Sequence, residues 1–315
     1  MYHGPISKEI ANGLKTLRKR INKAKIPASS LDETINLATW NIREFGRRPR
    51  EEAAIHYIAE IMNQFDFIAV TELRDNLSDL KRVLKILGPY WKAVFSDYIA
   101  DPGGNRERVA YVYDKRAVVF TGLAAEADAR RVKDRETGEY LPEQSWWRKP
   151  FMASFRAGSF DFVGLTAHIR WGSGDAARIA PLELLAKWLS ARVNEEHLVD
   201  KDFIVMGDFN IPSEDDELFA AITSEGLRIP DALRGITGSN LAQNKRYDQI
   251  LHYPRFTKCF SNRGGVLDFY ADDQEALFPG MELRDFTYQL SDHLPLWIHV
   301  NTRPANEQLD QILNQ

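Results

Sequence analysis

The stretch Phe203-Ile-Val-Met-Gly-Asp208-Phe-Asn210 constrains this chain more than any other. Four consecutive apolar residues read as a buried strand. The strand then breaks at Gly207 and presents Asp208 and Asn210, two positions apart. On an extended chain that spacing puts both side chains on one face. A carboxylate and a carboxamide at the end of a buried strand cost desolvation energy unless something pairs with them. A metal ion, a phosphate or a reacting water would do so. The chain's own backbone would do so too, if the segment is only an Asp-x-Asn turn.

The same pattern recurs along the chain. Residues 35–40 read as a strand that runs into Asn41-Ile-Arg43. Residues 65–70 read as a second, ending in Thr71-Glu72-Leu-Arg74-Asp75, and residues 160–165 as another, ending in Thr166-Ala-His168. Tyr247-Asp248 opens an apolar run, and Ser291-Asp292-His293 precedes a strand over 296–300. Further strands are expected over 91–96, 109–113, 118–121 and 151–156. Helices are expected around Ile55, Ile58 and Met62, with Pro49 in the first turn, and over 78–87, 176–195 and 215–223. Residues 128–149 read as a charged loop or hairpin turning at Glu136-Thr-Gly138. Residues 1–34 form a basic amphipathic helix and linker, residues 35–301 the main body, and residues 302–315 a short polar tail. In the first helix Ile10, Leu14, Leu17 and Ile21 make one stripe. Lys15, Arg18, Lys19, Arg20 and Lys23 cover the rest, as a solvated face or as a basic arm for phosphates.

Composition narrows the function. With 315 residues, 44% hydrophobic and 27% charged, the chain can bury a core and stay soluble. No apolar run approaches the ~20 residues that span a bilayer, and the first residues carry no apolar signal segment, so a cytoplasmic location without membrane contact is expected. The single cysteine, Cys259, excludes a disulfide framework and a multi-cysteine zinc site. A net charge of -4 does not announce a nucleic-acid binder. Local arginines have to carry that role: Arg43, Arg47, Arg48, Arg74, Arg106, Arg108, Arg148 and Arg170, all near strand ends. In layered α/β folds, chemistry collects where strand ends meet loops. The polar residues there include hard oxygen ligands suited to Mg²⁺ (Glu72, Asn41, Asp292) and two histidines with acids to orient them. There is no phosphate-cradling P-loop and no Gly-x-Ser-x-Gly elbow. Metal-assisted hydrolysis of a phosphate ester fits this inventory.

At this point the sequence resembles the endonuclease/exonuclease/phosphatase superfamily, and within it the deoxyribonuclease I-like nucleases. The matching segments are Thr39-Trp-Asn41-Ile, Val70-Thr-Glu72-Leu-Arg74-Asp75, Arg106-Glu107-Arg108, Arg148-Lys-Pro150, Leu165-Thr-Ala-His168, Met206-Gly-Asp208-Phe-Asn210, Tyr247-Asp248-Gln-Ile250 and Ser291-Asp292-His293. They fall in family order from about residue 35 to 300. The resemblance implies an α/β four-layer sandwich of two packed mixed sheets flanked by helices, with residues 35–301 as the catalytic domain. It implies that Glu72, with Asn41 and Asp292, holds a divalent metal: Mg²⁺, or Mn²⁺ or Ca²⁺ in its place. His293 would act as general base or phosphate ligand, with Asp248 fixing its tautomer. Glu107 and His168 would form a second acid–histidine pair for the leaving group. Asp208 and Asn210 would bind the scissile phosphate, orient the attacking water or hold a second metal. Arg148 would contact phosphate, and Arg74 the substrate groove.

Plainer readings stand beside these. His168 can be a satisfied core histidine, and Glu107 in its Arg-Glu-Arg run part of a solvated face. Trp146, Trp147 and Trp171 can stack on bases or pack against the body, while His252 and Cys259 match no family role and read as structural. The sequence also departs from the secreted, disulfide-bonded nuclease in having one cysteine, and Asn105 stands where a tyrosine precedes the second acid. The expected activity is a divalent-metal-dependent DNA endonuclease acting by metal-assisted water attack. The alternatives are a phosphatase or phospholipase acting on inositol phosphates or phospholipids, for which no apolar membrane-contacting loop is seen, and a silent binding module. Intact Glu72, Asp208, Asp292 and His293 argue against the last.

Overall fold

In the computed structural model, which describes residues 1–98, 105–142, 146–170, 174, 176–253, 259–304, 309, 312 and 313, two mixed sheets lie face to face between helices. The N-terminal half contains α1 (Lys8–Lys23), β1 (Thr34–Phe45), α2 (Glu52–Met62), β2 (Phe67–Arg74), α3 (Ser78–Leu87), β3 (Trp91–Phe95), β4 (Glu107–Asp114) and β5 (Val119–Glu126). A small hairpin, β6 (Arg131–Lys133) with β7 (Tyr140–Pro142), precedes β8 (Phe151–Ala157), β9 (Phe160–His168) and α4 (Ala176–Val193). Then come β10 (Phe203–Asp208), α5 (Glu217–Thr223), β11 (Asp248–His252), β12 (Phe260–Val266), α6 (Leu283–Gln289) and β13 (Leu296–Asn301). One sheet runs β12-β13-β1-β2-β4-β3 and the other β11-β10-β9-β8-β5. This is the expected four-layer sandwich.

Strand alternation builds the layers. On β1, Ile35 and Leu37 face the opposite sheet, whereas Ala38, Trp40 and Ile42 face the helices. Between the sheets, Phe67 of β2 meets Phe155 of β8 edge-on at 4.7 Å, and Tyr111 of β4 meets the same ring at 5.3 Å. Such aromatic pairs add about 0.5–1.5 kcal/mol each beyond the area they bury. Outside the six-stranded sheet, Leu17 of α1, Ile58 of α2 and Phe286 of α6 are fully buried in a second core. Leu182, Leu185 and Leu189 of α4 join Leu218 and Ile222 of α5 in the core of the other sheet.

Several details depart from the sequence expectation. Ser7 caps α1 by accepting from the Ile10 N–H at 3.2 Å, and the apolar stripe is buried as expected. Arg20, however, is not on a solvated face. It is buried and donates to the carbonyls of Phe269 (3.0 Å) and Tyr270 (2.8 Å), because α1 lies close enough to cap that loop. Pro49 lies ahead of α2, not in its first turn. β12 and α6 lie outside the expected elements: β12 is an edge strand whose register against β13 shifts between Phe260 and Gly264, and α6 is only seven residues long. The loop 101–104, Trp171 and most of the tail lie outside the described residues. Among the described residues, no helix is long and apolar enough to cross a membrane.

Candidate active site

Strand register assembles the site. β9 pairs with β10 so that His168 sits beside Asp208, and β10 pairs with β11 so that Asp208 sits beside Asp248. Three polar strand ends therefore form one row across one sheet. Gly207 permits that pairing. Its φ is +134°, and a Cβ there would be driven into the Ala167 carbonyl oxygen. Across the sandwich Asn41 follows the inward phase of β1. Glu72 does not follow the phase of β2, where strict alternation would send it outward with Ile68 and Val70. A left-handed backbone (φ +60°) and a register shift between Val70 and Leu73 turn it towards Asn41, and Leu73 resumes the outward face.

Asn41 joins the two sheets. Its Nδ2 donates to Glu72 Oε1 at 3.2 Å and to Asp208 Oδ2 at 2.9 Å. Glu72 Oε2 accepts from the Glu44 N–H at 2.8 Å. Asp208 satisfies both readings of its motif. Its Oδ1 accepts from the Asn210 N–H at 2.9 Å, closing the local turn, while its Oδ2 faces the centre of the site. Asn210, also left-handed (φ +53°), donates its Nδ2 to the Ile169 carbonyl at 2.7 Å.

Two histidines converge on Asp208. His293 donates Nδ1–H to Asp248 Oδ2 at 2.7 Å, and Ser239 Oγ donates to the same oxygen at 2.6 Å. His168 is held through Nδ1 by Glu107 Oε1. With both Nδ1 atoms engaged, the Nε2 atoms turn to Asp208 Oδ2, at 3.6 Å from His168 and 3.9 Å from His293. Burial alone would lower His293, but Asp248, Asp208 and Asp292 push it up to about 10. Burial is likewise outweighed at His168, which Glu107 and Asp208 raise above the usual histidine range. Burial would raise Glu107, yet His168, Arg148 and Arg74 hold it below the usual carboxylate range. At Asp208 burial prevails, helped by Asp248, and its carboxyl is raised despite the two rings.

The remaining expected residues are placed differently. Arg148 Nη2 lies 3.1 Å from Glu107 Oε2, within the second pair. Arg74, expected on the groove, is 4% exposed. It donates to the Asn105 carbonyl at 2.7 Å and lies 3.6 Å from Glu44 and from Glu72 and 3.9 Å from Glu107, an interior tie among three acids. Asp292, in a bend beside His293, lies 3.5 Å from the Arg43 guanidinium and adds to the negative field around the His293 ring. Most of the expected arginine rim is likewise tied to acids: Arg47 to Glu44, Arg106 to Asp75 and Arg108 to Asp97.

Three contributors escaped sequence reasoning. Glu44 supplies the N–H to Glu72. Ser239 sits in a polar loop with no distinguishing pattern. Ser291, inside the Ser-Asp-His motif, donates Oγ–H to the Asn41 carbonyl at 2.6 Å and accepts from the His293 N–H at 3.0 Å.

Among the described residues, no group of three or more His, Cys, Asp or Glu side chains has metal-holding geometry. The residues nevertheless fit a small hard cation. Asn41 Oδ1 is buried without a hydrogen-bond partner, while Nδ2 of the same amide sits on the Glu72 carboxylate. A hard-oxygen pair with room for water and substrate oxygens is what Mg²⁺ takes.

The family model described as Endonuclease/Exonuclease/phosphatase family matches residues 38–293. A protein of Thioalkalivibrio sp. (strain K90mix) named Deoxyribonuclease is 31% identical over 293 residues, 87% of this chain and 72% of that protein. Among solved structures, an endonuclease/exonuclease/phosphatase family protein of Bacteroides thetaiotaomicron has a TM-score of 0.56 at 20% identity, covering 85% of this chain and 95% of its own. A mannosyl-6-phosphatase of the same organism has a TM-score of 0.56 at 21% identity, covering 85% and 98%. These two likenesses establish a shared fold.

Proposed function

The chain belongs to the endonuclease/exonuclease/phosphatase family, and from that premise we propose that it is a divalent-metal-dependent phosphodiesterase acting on DNA. The convergence of two acid–histidine pairs on one buried carboxylate carries this reading. A phosphodiester leaves as a sugar alkoxide, which needs a proton, while the attacking water must lose one. Two separately tuned groups meet both demands.

Glu72 and Asn41 Oδ1 would hold Mg²⁺, which when bound neutralises charge developing on a phosphate oxygen. The chain's own residues do the rest. His293, held cationic by Asp248, binds and orients the scissile phosphate. Asp208, its carboxyl raised by burial, orients the attacking water and accepts its proton. His168 is cationic beside Glu107 and donates from Nε2 to the leaving oxygen. Arg148 and Arg74 keep Glu107 ionised so that His168 stays charged between turnovers.

A plasmid-nicking assay tests the proposal, run beside panels of inositol phosphates, sugar phosphates and phospholipid vesicles. Nicking is expected with Mg²⁺ or Mn²⁺ and not with excess EDTA. His293→Ala is expected to slow nicking by about 10²–10⁴-fold while the thermal transition is retained. Cleavage of a monoester or lipid with the plasmid left intact would overturn the substrate assignment.

A further inference from the structure

Two adjacent tryptophans near the Glu107–His168 pair have opposite fates. Trp146 is buried, donates Nε1–H to the Pro181 carbonyl at 3.0 Å and meets Trp188 edge-on at 6.4 Å. It is a core residue. Trp147 is 56% exposed. A single exposed apolar residue is ordinary, and guanidinium groups also lie over the exposed rings of Tyr90 and Phe95, but those belong to Arg116 and Arg108, which are paired with Asp114 and Asp97; over Trp147 the cation is Arg170. The Arg170 guanidinium carbon lies 4.5 Å from its ring centroid. Among the described residues, no carboxylate pairs with Arg170, in contrast to Arg47, Arg106 and Arg108. The stacked pair is thus a positively charged aromatic surface open to water.

Its position relates it to the chemistry. Trp147 immediately precedes Arg148, whose guanidinium lies 3.1 Å from Glu107. Arg170 is two residues beyond His168, which Glu107 holds. Arg170 is therefore tethered within roughly 7 Å of backbone to His168, and Trp147 by one peptide link to the arginine that pairs with Glu107. An exposed indole with a guanidinium over its ring suits a nucleobase and its flanking phosphate, and every base offers a π-face.

We propose that Trp147 and Arg170 form a stacking platform for the nucleobase on the leaving-group side of the scissile phosphate. The proposal rests on the reading of the site as a DNA phosphodiesterase and deepens it. A base can lie on Trp147 only when it is unstacked from its own neighbours, so the platform favours single-stranded or frayed DNA without selecting a particular base.

The test is equilibrium binding of a fluorescein-labelled octadeoxynucleotide, followed by anisotropy with Mg²⁺ in the His293→Ala background to prevent turnover. Adding Trp147→Ala is expected to weaken binding about 10-fold, and Trp147→Phe to retain most of it. A single abasic residue is then moved along the strand. At one position it should cost the background about 10-fold and the Trp147→Ala protein nothing further. Equal affinities with and without Trp147, or an abasic penalty that survives Trp147→Ala, would overturn the platform, as would a background that does not bind the strand. Hydrolysis of bis(p-nitrophenyl) phosphate by the unmodified chain reads the functional assignment separately, because that diester has no base. Turnover of the diester with Trp147-independent strand binding defeats the platform alone. Trp147-dependent binding without any diester turnover defeats the enzymatic reading and leaves the platform standing.

Discussion

Asp248→Asn is the most informative single change, because it removes a charge while leaving an oxygen for His293 Nδ1 and the Ser239 hydroxyl. In the native site His293 moves from an ordinary value of 6.5 up to about 10. That difference corresponds to about 5 kcal/mol in favour of the imidazolium. Asp248 is the largest attractive contributor, with Asp208 and Asp292 behind it. Removing one opposite charge at hydrogen-bond distance should lower His293 by about 2 pH units. Because the folded value lies above the unfolded one, the stabilisation is fully present below about 6.5 and is lost as pH rises through about 10. The variant should therefore be less stable by about 3 kcal/mol at pH 6, with the gap closing towards pH 10. An NMR titration of the His293 ring, paired with urea unfolding at both pH values, reads the two effects. Nicking should slow by about 100-fold. An unmoved His293 midpoint, or the same stability loss at pH 6 and pH 10, would refute the account of how this pair is charged.

Two stability predictions concern the frame around the site. Gly207→Ala should cost about 3 kcal/mol, from a strained φ and from overlap with the Ala167 carbonyl oxygen, and calorimetry should show a Tm lower by roughly 5 °C. A Tm within a degree of the parent would mean that β9 and β10 separate without penalty. His252 is buried and neutral, its Nδ1–H given to the Tyr253 carbonyl at 2.9 Å and its ring stacked 3.9 Å from Phe260. Burial pushes it from 6.5 down to about 4, so its contribution is present above about 6.5 and lost as pH falls through about 4. His252→Phe should remove about 3 kcal/mol of acid sensitivity over that interval, and an unchanged acid limb in chemical unfolding would contradict it.

The parts of this molecule set by local pattern were visible in the sequence. Apolar runs ending at Asn41, His168 and Asp208 became strands, and the strand-end residues gathered where the sheets meet. What escaped depends on which segments pair. Nothing in Val70-Thr-Glu72-Leu says that the backbone turns left-handed and sends Glu72 inward, because that follows from a bulge opposite β4. Arg20 and Arg74 look like surface charges until neighbouring carbonyls and acids enclose them. Ser239 reaches Asp248 only because β11 delivers the acid beneath its loop.

The Ser291 hydroxyl bridges the Asn41 carbonyl and the His293 N–H, and so ties together residues 250 positions apart in the chain. The tie carries a consequence for folding. Asn41 and Glu72 lie on the first two strands, but the strand that enters the sheet between β1 and β12, with the histidine loop just ahead of it, follows all the other described strands. Contacts of such sequence separation form only after a large loop has closed. Until β13 is seated, the Ser291 hydroxyl has no Asn41 carbonyl to donate to, and the two halves of the site are not joined. Strand order thus makes the joining of the two halves of the site a late event in folding.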